Sequence, residues 1–194
     1  MRSLFACSVL ATGLAVAAGA SGAYAIKHQF ILGGPGGWDY LTVDSASKRL
    51  FIARADRVLV MSTVDGKLLG TIAHTEGVHG VALAPELGKG FISDGRADSV
   101  TVFDLATLAT LTTIAVPGHN PDAIVYDKTS QRVFTFNGRS QDISVIDPVK
   151  GSVIDTIPVG GKPEFAQADG AGHIFFNIED TGQISEIDSS LLAP

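Results

Sequence analysis

A repeat of roughly 40 residues is the feature that most constrains how this chain can fold. One series of repeat positions has a phenylalanine at nearly equal intervals: Phe51, Phe91, Phe134 and Phe175. A second series, further along each repeat, recurs with nearly the same spacing: Val60, Val102, Val145 and Glu186. Because two separate registers give the same period, the repeat reflects a structural unit rather than a chance match.

The clearest copy of the unit runs from Pro121 to Lys162. Turn residues such as Asn137-Gly138 and Asp147-Pro148 divide it into short apolar runs rich in Val, Ile and Phe, which favour β-strands. The four runs are Ala123–Tyr126, Val133–Phe136, Ile143–Ile146 and Val153–Val159. A four-stranded unit with a period of roughly 40 to 45 residues is typical of a β-propeller blade. We therefore predict an all-β fold, a β-propeller of four-stranded antiparallel blades.

Motifs in this copy resemble those of the YVTN-repeat β-propeller family. The stretch Phe134-Thr135-Phe136-Asn137 corresponds to the Tyr-Val-Thr-Asn motif, and Val145-Ile146-Asp147 and Thr156-Ile157-Pro158-Val159-Gly160 correspond to the two strands that follow it. The resemblance covers residues 26 to 194, although no unit contains a literal Tyr-Val-Thr-Asn. It implies an exported bacterial propeller of the wider WD40/YVTN-like superfamily, and such propellers usually have seven blades. Trp38-Asp39 is not a WD40 signature, because it precedes a first strand.

The repeats predict how the chain is divided. Three complete units are expected at residues 38–77, 78–120 and 121–162, with a partial unit of three strands at 163–194. The segment His28–Leu32 has the pattern of a fourth strand that lacks its first three. Two architectures follow: a closed four-bladed ring that His28–Leu32 completes, or an incomplete arc of a seven-bladed propeller. We favour the incomplete arc.

The N-terminal segment Met1–Ala25 has the features of a secretory signal peptide. Arg2 precedes an apolar run from Leu4 to about Ala18, and Ala23-Tyr24-Ala25 resembles a cleavage site. A membrane anchor is the alternative, but the run falls short of the ~20 apolar residues that a spanning helix needs. Cys7 suggests a lipoprotein only weakly, because too little apolar sequence precedes it. We expect cleavage after Ala25, a periplasmic or extracellular location, and no membrane span in the mature chain.

The charge balance limits the classes of partner. The chain has 14 Lys and Arg against 20 Asp and Glu, and loss of Arg2 with the signal peptide would bring its net charge from −6 to about −7. The single cysteine would leave with the same segment, so a mature chain would fold without a disulfide. A net acidic chain without a basic stripe argues against generic binding to nucleic acid or to anionic membranes. An unknown small ligand or protein is the expected partner.

One column of ionisable residues is the strongest functional signal. Asp39, His79, Asp122 and Glu164 stand at the start of successive first strands and share the spacing of the repeat. In the family that the chain resembles, this column commonly holds glycine or another small residue. First strands line the central channel of a propeller, so these side chains should meet at its mouth. Their mutual repulsion calls for a positive neighbour, which the nearby arginines, a cationic ligand group or a divalent metal could supply.

Residues of the outer loops on the same face extend the predicted ligand-binding set. They are Trp38, Arg54, Arg96, Arg139 and Asn137. An arginine can hold a carboxylate or phosphate with two parallel hydrogen bonds. The alternative is that these arginines pair with neighbouring acids and contribute little, as surface ion pairs usually do.

The sequence favours a binding function over an enzymatic one. We predict an exported recognition scaffold whose ligand or partner site lies at the channel mouth, with no catalytic residue, metal site or cofactor assigned. The alternative is a propeller enzyme, lactonase-like or dehydrogenase-like, with an incomplete site in this chain, since related propellers host such activities and a fold alone does not decide function. An adhesive or structural repeat protein is a third class, which would need further domains or an anchor.

Overall fold

The structure is a computed structural model that describes residues 24–192, so most of the predicted signal peptide, residues 1–23, lies outside the described residues. The chain divides into two units, Met1–Leu32 and Gly33–Pro194. The described part of the first unit, residues 24–32, contains no strand. The strand predicted at His28–Leu32 is therefore not formed: its apolar pattern suits a strand, but a strand also needs a paired neighbour for its backbone groups.

The second unit contains four antiparallel sheets, which we call blades 1 to 4. Blade 1 consists of β1 (Leu41–Asp44), β2 (Arg49–Arg54), β3 (Arg57–Ser62) and β4 (Leu68–Ala73). Blade 2 consists of β5 (Val78–Ala84), β6 (Lys89–Asp94), β7 (Ser99–Asp104) and β8 (Thr110–Ala115). Blade 3 consists of β9 (Pro121–Asp127), β10 (Arg132–Asn137), β11 (Asp142–Asp147) and β12 (Ser152–Pro158). Blade 4 has three strands, β13 (Pro163–Ala168), β14 (His173–Ile178) and β15 (Gln183–Asp188).

Short 3-10 helices follow β5 and β15, at Pro85–Leu87 and Ser189–Leu192. Each blade is a simple meander in which neighbouring strands are also consecutive in sequence. The predicted all-β propeller fold is confirmed, and the sheets are not closed into a ring.

Aspartates organise the turns between the third and fourth strands, as the sequence predicts. Asp104 Oδ1 accepts hydrogen bonds from the backbone N–H of Ala106 at 3.0 Å and of Thr107 at 2.7 Å. Asp147 Oδ1 does the same for Val149 at 2.9 Å and Lys150 at 3.0 Å. These carboxylates satisfy turn amides that no strand partner reaches, which is why the residue recurs at the end of the third strand.

Apolar side chains pack between successive blades and form the core. Between blades 1 and 2 the rings of Phe51 and Phe103 lie 5.7 Å apart, and between blades 3 and 4 those of Phe136 and Phe176 lie 5.3 Å apart. Each face of an inner blade contacts a different neighbour, so Phe91 faces blade 3 while Phe103 faces blade 1. The near-continuous apolar runs of the second and third strands follow from this burial on both faces.

Candidate functional site

Irregularities in the first strands aim the column residues toward the mouth of the channel. The pairing register of first and second strands shifts between Val78 and Val81 in blade 2, and between Pro163 and Ala166 in blade 4. In blade 3 the same shift lies opposite the start of β9, between Thr135 and Asn137. Such bulges free a residue from the ladder and redirect its side chain. The column residues of these blades lie at these bulges: His79, Asp122 and Glu164.

The structure brings the members of the predicted column together. His79 Nδ1 lies 2.7 Å from Asp39 Oδ2 and 3.7 Å from Asp122 Oδ1. The imidazole therefore bridges the column residues of blades 1 and 3. Gly95 makes room for this ring, because a Cβ at residue 95 would lie 2.6 Å from His79 Nε2. A glycine is needed there for close approach rather than for backbone conformation.

Tyr40 links blade 1 to blade 4 and was not identified from the sequence. Its hydroxyl donates a hydrogen bond to the Glu164 carbonyl oxygen at 3.3 Å, and its ring lies 5.4 Å from the ring of Phe165. One feature of the sequence could have identified it. Tyr40 and Phe165 are aromatic, whereas blades 2 and 3 have the small residues Gly80 and Ala123 at the same repeat position. The two rings add an apolar wall to the ionisable column.

The electrostatics of the mouth are dominated by carboxylates. Burial raises the pKa of Asp122 to about 6, and the negative charges of Glu164 and Asp39 add to that rise while His79 opposes it. Burial and then the charges of Asp122, Glu164 and Asp39 likewise raise the pKa of the Tyr40 hydroxyl. The mouth therefore holds more negative charge than its own cations neutralise.

Lys162 forms a salt bridge with one member of the acidic column, Glu164. Its Nζ lies 3.1 Å from Glu164 Oε2 and 2.5 Å from Glu179 Oε2. These two carboxylates raise the pKa of the Lys162 ammonium, first through hydrogen bonds and then through their charges. Because Lys162 pairs with both Glu164 and Glu179, it neutralises the charge of Glu164 only in part. Asp39 and Asp122 have His79 as their neighbour instead.

Below this mouth the first strands enclose a channel of about 500 Å³. All four first strands line it, with Tyr40, Gly80, Ala123 and Phe165 toward the column and Asp127 and Lys128 at the far end of β9. A volume of this size falls in the range of cavities that hold small ligands. The channel offers apolar walls and an acidic entrance.

Two of the predicted binding residues, Arg54 and Asn137, have side chains held by contacts within the chain. Arg54 is 3% exposed, donates hydrogen bonds to the carbonyl oxygens of Gly33 and Gly34, and stacks with its guanidinium carbon 4.1 Å from the centre of the Trp38 ring. Both terminal nitrogens of the Arg54 guanidinium are therefore used to hold the loop that contains Gly33 and Gly34, and the Trp38 ring packs on the guanidinium. Asn137 is fully buried, and its Nδ2 donates to Asp142 Oδ1 at 2.7 Å and to Ser144 Oγ at 2.9 Å.

Arg96 and Arg139 have exposed side chains on the loops after the second strands of blades 2 and 3. Their backbone amides donate to the carbonyl oxygens of Glu76 and His119, both at 3.1 Å. Neither guanidinium forms a hydrogen bond or salt bridge with another residue in the described part of the chain. Neither guanidinium forms a hydrogen bond or salt bridge with a residue of the column.

Neither a metal cluster nor a spanning helix is found in the part of the chain that the structure describes. Among residues 24–192, no group of three or more His, Cys, Asp or Glu side chains has an arrangement that could hold a metal ion. Over the same range no helix is sufficiently long and apolar to span a bilayer.

Comparisons with known proteins agree on the fold. No protein-family model matches the chain. Hydrazine synthase of Kuenenia stuttgartiensis superposes with a TM-score of 0.73 at 17% identity, over 88% of this chain and 51% of that one. The WD40 repeats of RRP9 superpose with a TM-score of 0.71 at 13% identity, over 80% of this chain and 51% of that one. In sequence, Antigen Lp49 of Leptospira interrogans is 40% identical over 63 residues, which is 32% of this chain and 14% of the antigen.

The fold and the channel define the class of the protein as a β-propeller. The chain spans about half the length of the solved propellers that it matches, and a still smaller part of the antigen. At these identities the solved structures are informative about the fold alone. The function has to be argued from the site.

Proposed function

We propose that this chain is part of an exported propeller of the YVTN-repeat type that binds a positively charged organic group, such as an ammonium or guanidinium, at its channel mouth. The observation that carries the proposal is the position of Asp39 and Asp122 on either side of His79, with the charge of Glu164 acting on both Asp122 and the Tyr40 hydroxyl. Carboxylates bind such cations through charge-assisted hydrogen bonds. The adjoining rings of Tyr40 and Phe165 add a surface that favours alkylated cations.

The shape of the site supports an organic ligand or a peptide side chain. A channel of about 500 Å³ behind the carboxylates can hold the apolar body of a ligand, while its cationic end stays at the mouth. Lys162, which pairs with Glu164, is already shared with Glu179. An incoming cation would therefore relieve repulsion among the remaining carboxylates, which gives binding a favourable electrostatic term.

The test is binding of a defined cationic probe by the wild-type chain and two matched variants. Arginine amide and tetramethylammonium serve as probes, with sodium acetate as the anionic control, at about 150 mM salt to screen non-specific attraction. Asp122→Asn removes a column charge, whereas Asp65→Asn removes an exposed turn carboxylate that forms a salt bridge with Lys67 at 2.8 Å, away from the column. We expect calorimetric affinity for a probe to fall at least about tenfold in Asp122→Asn, or about 1.4 kcal/mol, and to stay unchanged in Asp65→Asn.

The proposal fails if neither cationic probe binds the wild-type chain more tightly than acetate does. It fails equally if the Asp122→Asn and Asp65→Asn variants lose the same affinity, since binding would then follow net charge rather than the site. Circular dichroism of both variants checks that each is folded.

A further inference from the structure

Two arginines occupy the same repeat position in neighbouring blades, and neither guanidinium forms a hydrogen bond or salt bridge within the described residues. Arg96 follows β6 in blade 2 and Arg139 follows β10 in blade 3, and both side chains are exposed. Blades 1 and 4 have aspartates at this position, Asp56 and Asp180. Asp56 forms a salt bridge at 2.5 Å with the residue that follows it, and Asp180 accepts a hydrogen bond at 2.8 Å from a backbone N–H. Blades 2 and 3 therefore present cations that the described chain leaves unpaired.

In blade 2 the loop that carries Arg96 packs directly on a column residue. The backbone N–H of Gly95 donates to the Gly77 carbonyl oxygen at 3.0 Å, two residues before His79. A Cβ at residue 95 would lie 2.6 Å from His79 Nε2, and a Cβ at residue 77 would lie 3.3 Å from Arg96 Nε. The arginine side chain therefore runs over Gly77, which two residues of extended chain, roughly 7 Å, separate from the column.

Blade 3 repeats this arrangement with Arg139. The backbone N–H of Gly138 donates to the Asn120 carbonyl oxygen at 3.0 Å, two residues before Asp122. The N–H of Arg139 donates to the carbonyl oxygen of His119 at 3.1 Å. Both arginines therefore extend from loops whose backbone is fixed beside the start of a first strand, where the column residues lie.

No carboxylate of the described residues forms a salt bridge with either arginine. The charge of Arg139 acts on Asp98, but the salt bridge of Asp98 is with His119 Nδ1, at 2.8 Å. An arginine without a partner can bind a carboxylate through two parallel hydrogen bonds. Beside the carboxylates of the column, a singly charged carboxylate is repelled less than a doubly charged phosphate. The arginines therefore suit the carboxylate end of a ligand whose cationic end lies at the column.

We propose that the channel mouth selects zwitterions: the acidic column binds the cationic group, and Arg96 and Arg139 bind a carboxylate of the same molecule. Amino acids and betaines belong to this class. The inference rests on the proposed function, because the cationic end of the ligand uses the same column. It adds a second recognition element, since the arginines attract a carboxylate and repel a cation that lacks one.

Matched probes that differ by one carboxylate test this selectivity. Glycine betaine is tetramethylammonium with a carboxylate on one methyl group, and 4-aminobutanoate is propylammonium with a carboxylate on its last carbon. The two zwitterions provide a short and a longer separation of the charges. We expect calorimetric titration of the wild-type chain at about 150 mM salt to show that at least one zwitterion binds about tenfold more tightly than its own cation.

Substitutions assign this preference to the arginines. Arg96→Gln and Arg139→Gln should each weaken binding of the preferred zwitterion at least about fivefold. The parent cation should bind as tightly as before or more tightly, because a repulsive charge is removed. Lys67→Gln is the control, since it removes an exposed cation that pairs with Asp65 at 2.8 Å in the turn before β4, and it should leave both affinities unchanged. Asp122→Asn should weaken binding of both members of the pair.

The outcomes separate this inference from the proposed function. Zwitterions that bind no more tightly than their parent cations overturn the inference and leave the proposed function standing, whereas absence of binding by all four probes overturns both. The inference also fails if both arginine variants keep the wild-type affinity for the zwitterion. It fails equally if Lys67→Gln loses as much affinity as they do, because the preference would then follow net charge. Far-ultraviolet circular dichroism checks that each variant is folded.

Discussion

Ionisation of Asp122 changes the charge of the channel mouth at mildly acidic pH. Burial and the neighbouring charges of Glu164 and Asp39 raise its pKa to about 6, against the opposing influence of His79. Below that pH the carboxyl group is neutral, and above it the site gains a full negative charge. The folded-state pKa lies above the value of an unfolded aspartate, so ionisation of Asp122 lowers the stability of the protein as pH rises between about 4 and 6.

Binding of arginine amide should therefore strengthen as pH rises from about 5 to about 7. The cation interacts with ionised Asp122 and not with its neutral form. Isothermal titration at several pH values measures the effect. In a His79→Gln variant the pH dependence should persist, whereas Asp122→Asn should flatten it. A profile that Asp122→Asn leaves unaltered would assign the titration to another group.

At the level of single strands, the last residue of the second strand makes different side-chain contacts in blades 1, 2 and 3. Arg54 reaches out to the glycine-rich loop, Asn137 donates to Asp142 and Ser144, and Asp94 accepts from Thr101 Oγ1 at 2.6 Å and Ser99 Oγ at 3.3 Å. Asp94 is almost fully buried and one of its oxygens, Oδ1, has no partner in the described residues. Burial raises the pKa of Asp94 to about 7, and the hydroxyls of Thr101 and Ser99 only partly oppose it.

Asp94→Asn should stabilise the protein above pH 7 by about 2 kcal/mol and have a smaller effect near pH 4. The reason is the raised pKa of Asp94 in the folded protein. The free-energy cost of burying its charge is absent below the pKa of an unfolded aspartate and is complete above pH 7. Urea unfolding at pH 4.5 and pH 8 measures both values. Asn137→Asp provides the reciprocal control, because a carboxylate there would face Asp142 and should destabilise the protein most at high pH. Equal effects of Asp94→Asn at both pH values would contradict the prediction.

At the scale of the whole molecule, the apolar segment that precedes the propeller remains a prediction. We propose that residues 1–25 are a signal peptide, on the basis of Arg2, the run beginning at Leu4 and the small residues before Ile26. Expression of the chain in a Gram-negative host should give a product in the periplasm. N-terminal sequencing should return Ile26 as its first residue. A matched control with residues 2–25 deleted should stay in the cytosol. Exported protein that begins at Met1, or full-length protein in the cytosol, would contradict this.

The location of the candidate site was partly predictable. The regular spacing of Asp39, His79, Asp122 and Glu164 places them at one end of the first strands, and this follows from the repeat alone because equivalent residues of a propeller share one end of the channel. Tyr40 could not be assigned a role in the same way. Its hydroxyl contacts Glu164, 124 residues away, and no spacing rule predicts which side chain crosses a channel.

The sequence by itself determined the strands within the blades, their meander order and the edge on which the acidic column lies, but not the absence of a strand at His28–Leu32. These depend on side-chain alternation, turn chemistry and the constant period of the repeat, all of which are local. The tertiary structure decided which side chains are free to contact a ligand or partner and which are held by other residues of the chain. Arg54 has the chemistry of a ligand clamp but is held by Gly33, Gly34 and Trp38, whereas Phe175 has the sequence of a core residue but is exposed. Availability depends on what packs against a residue from elsewhere in the chain, and that partner is not encoded within the residue's own repeat.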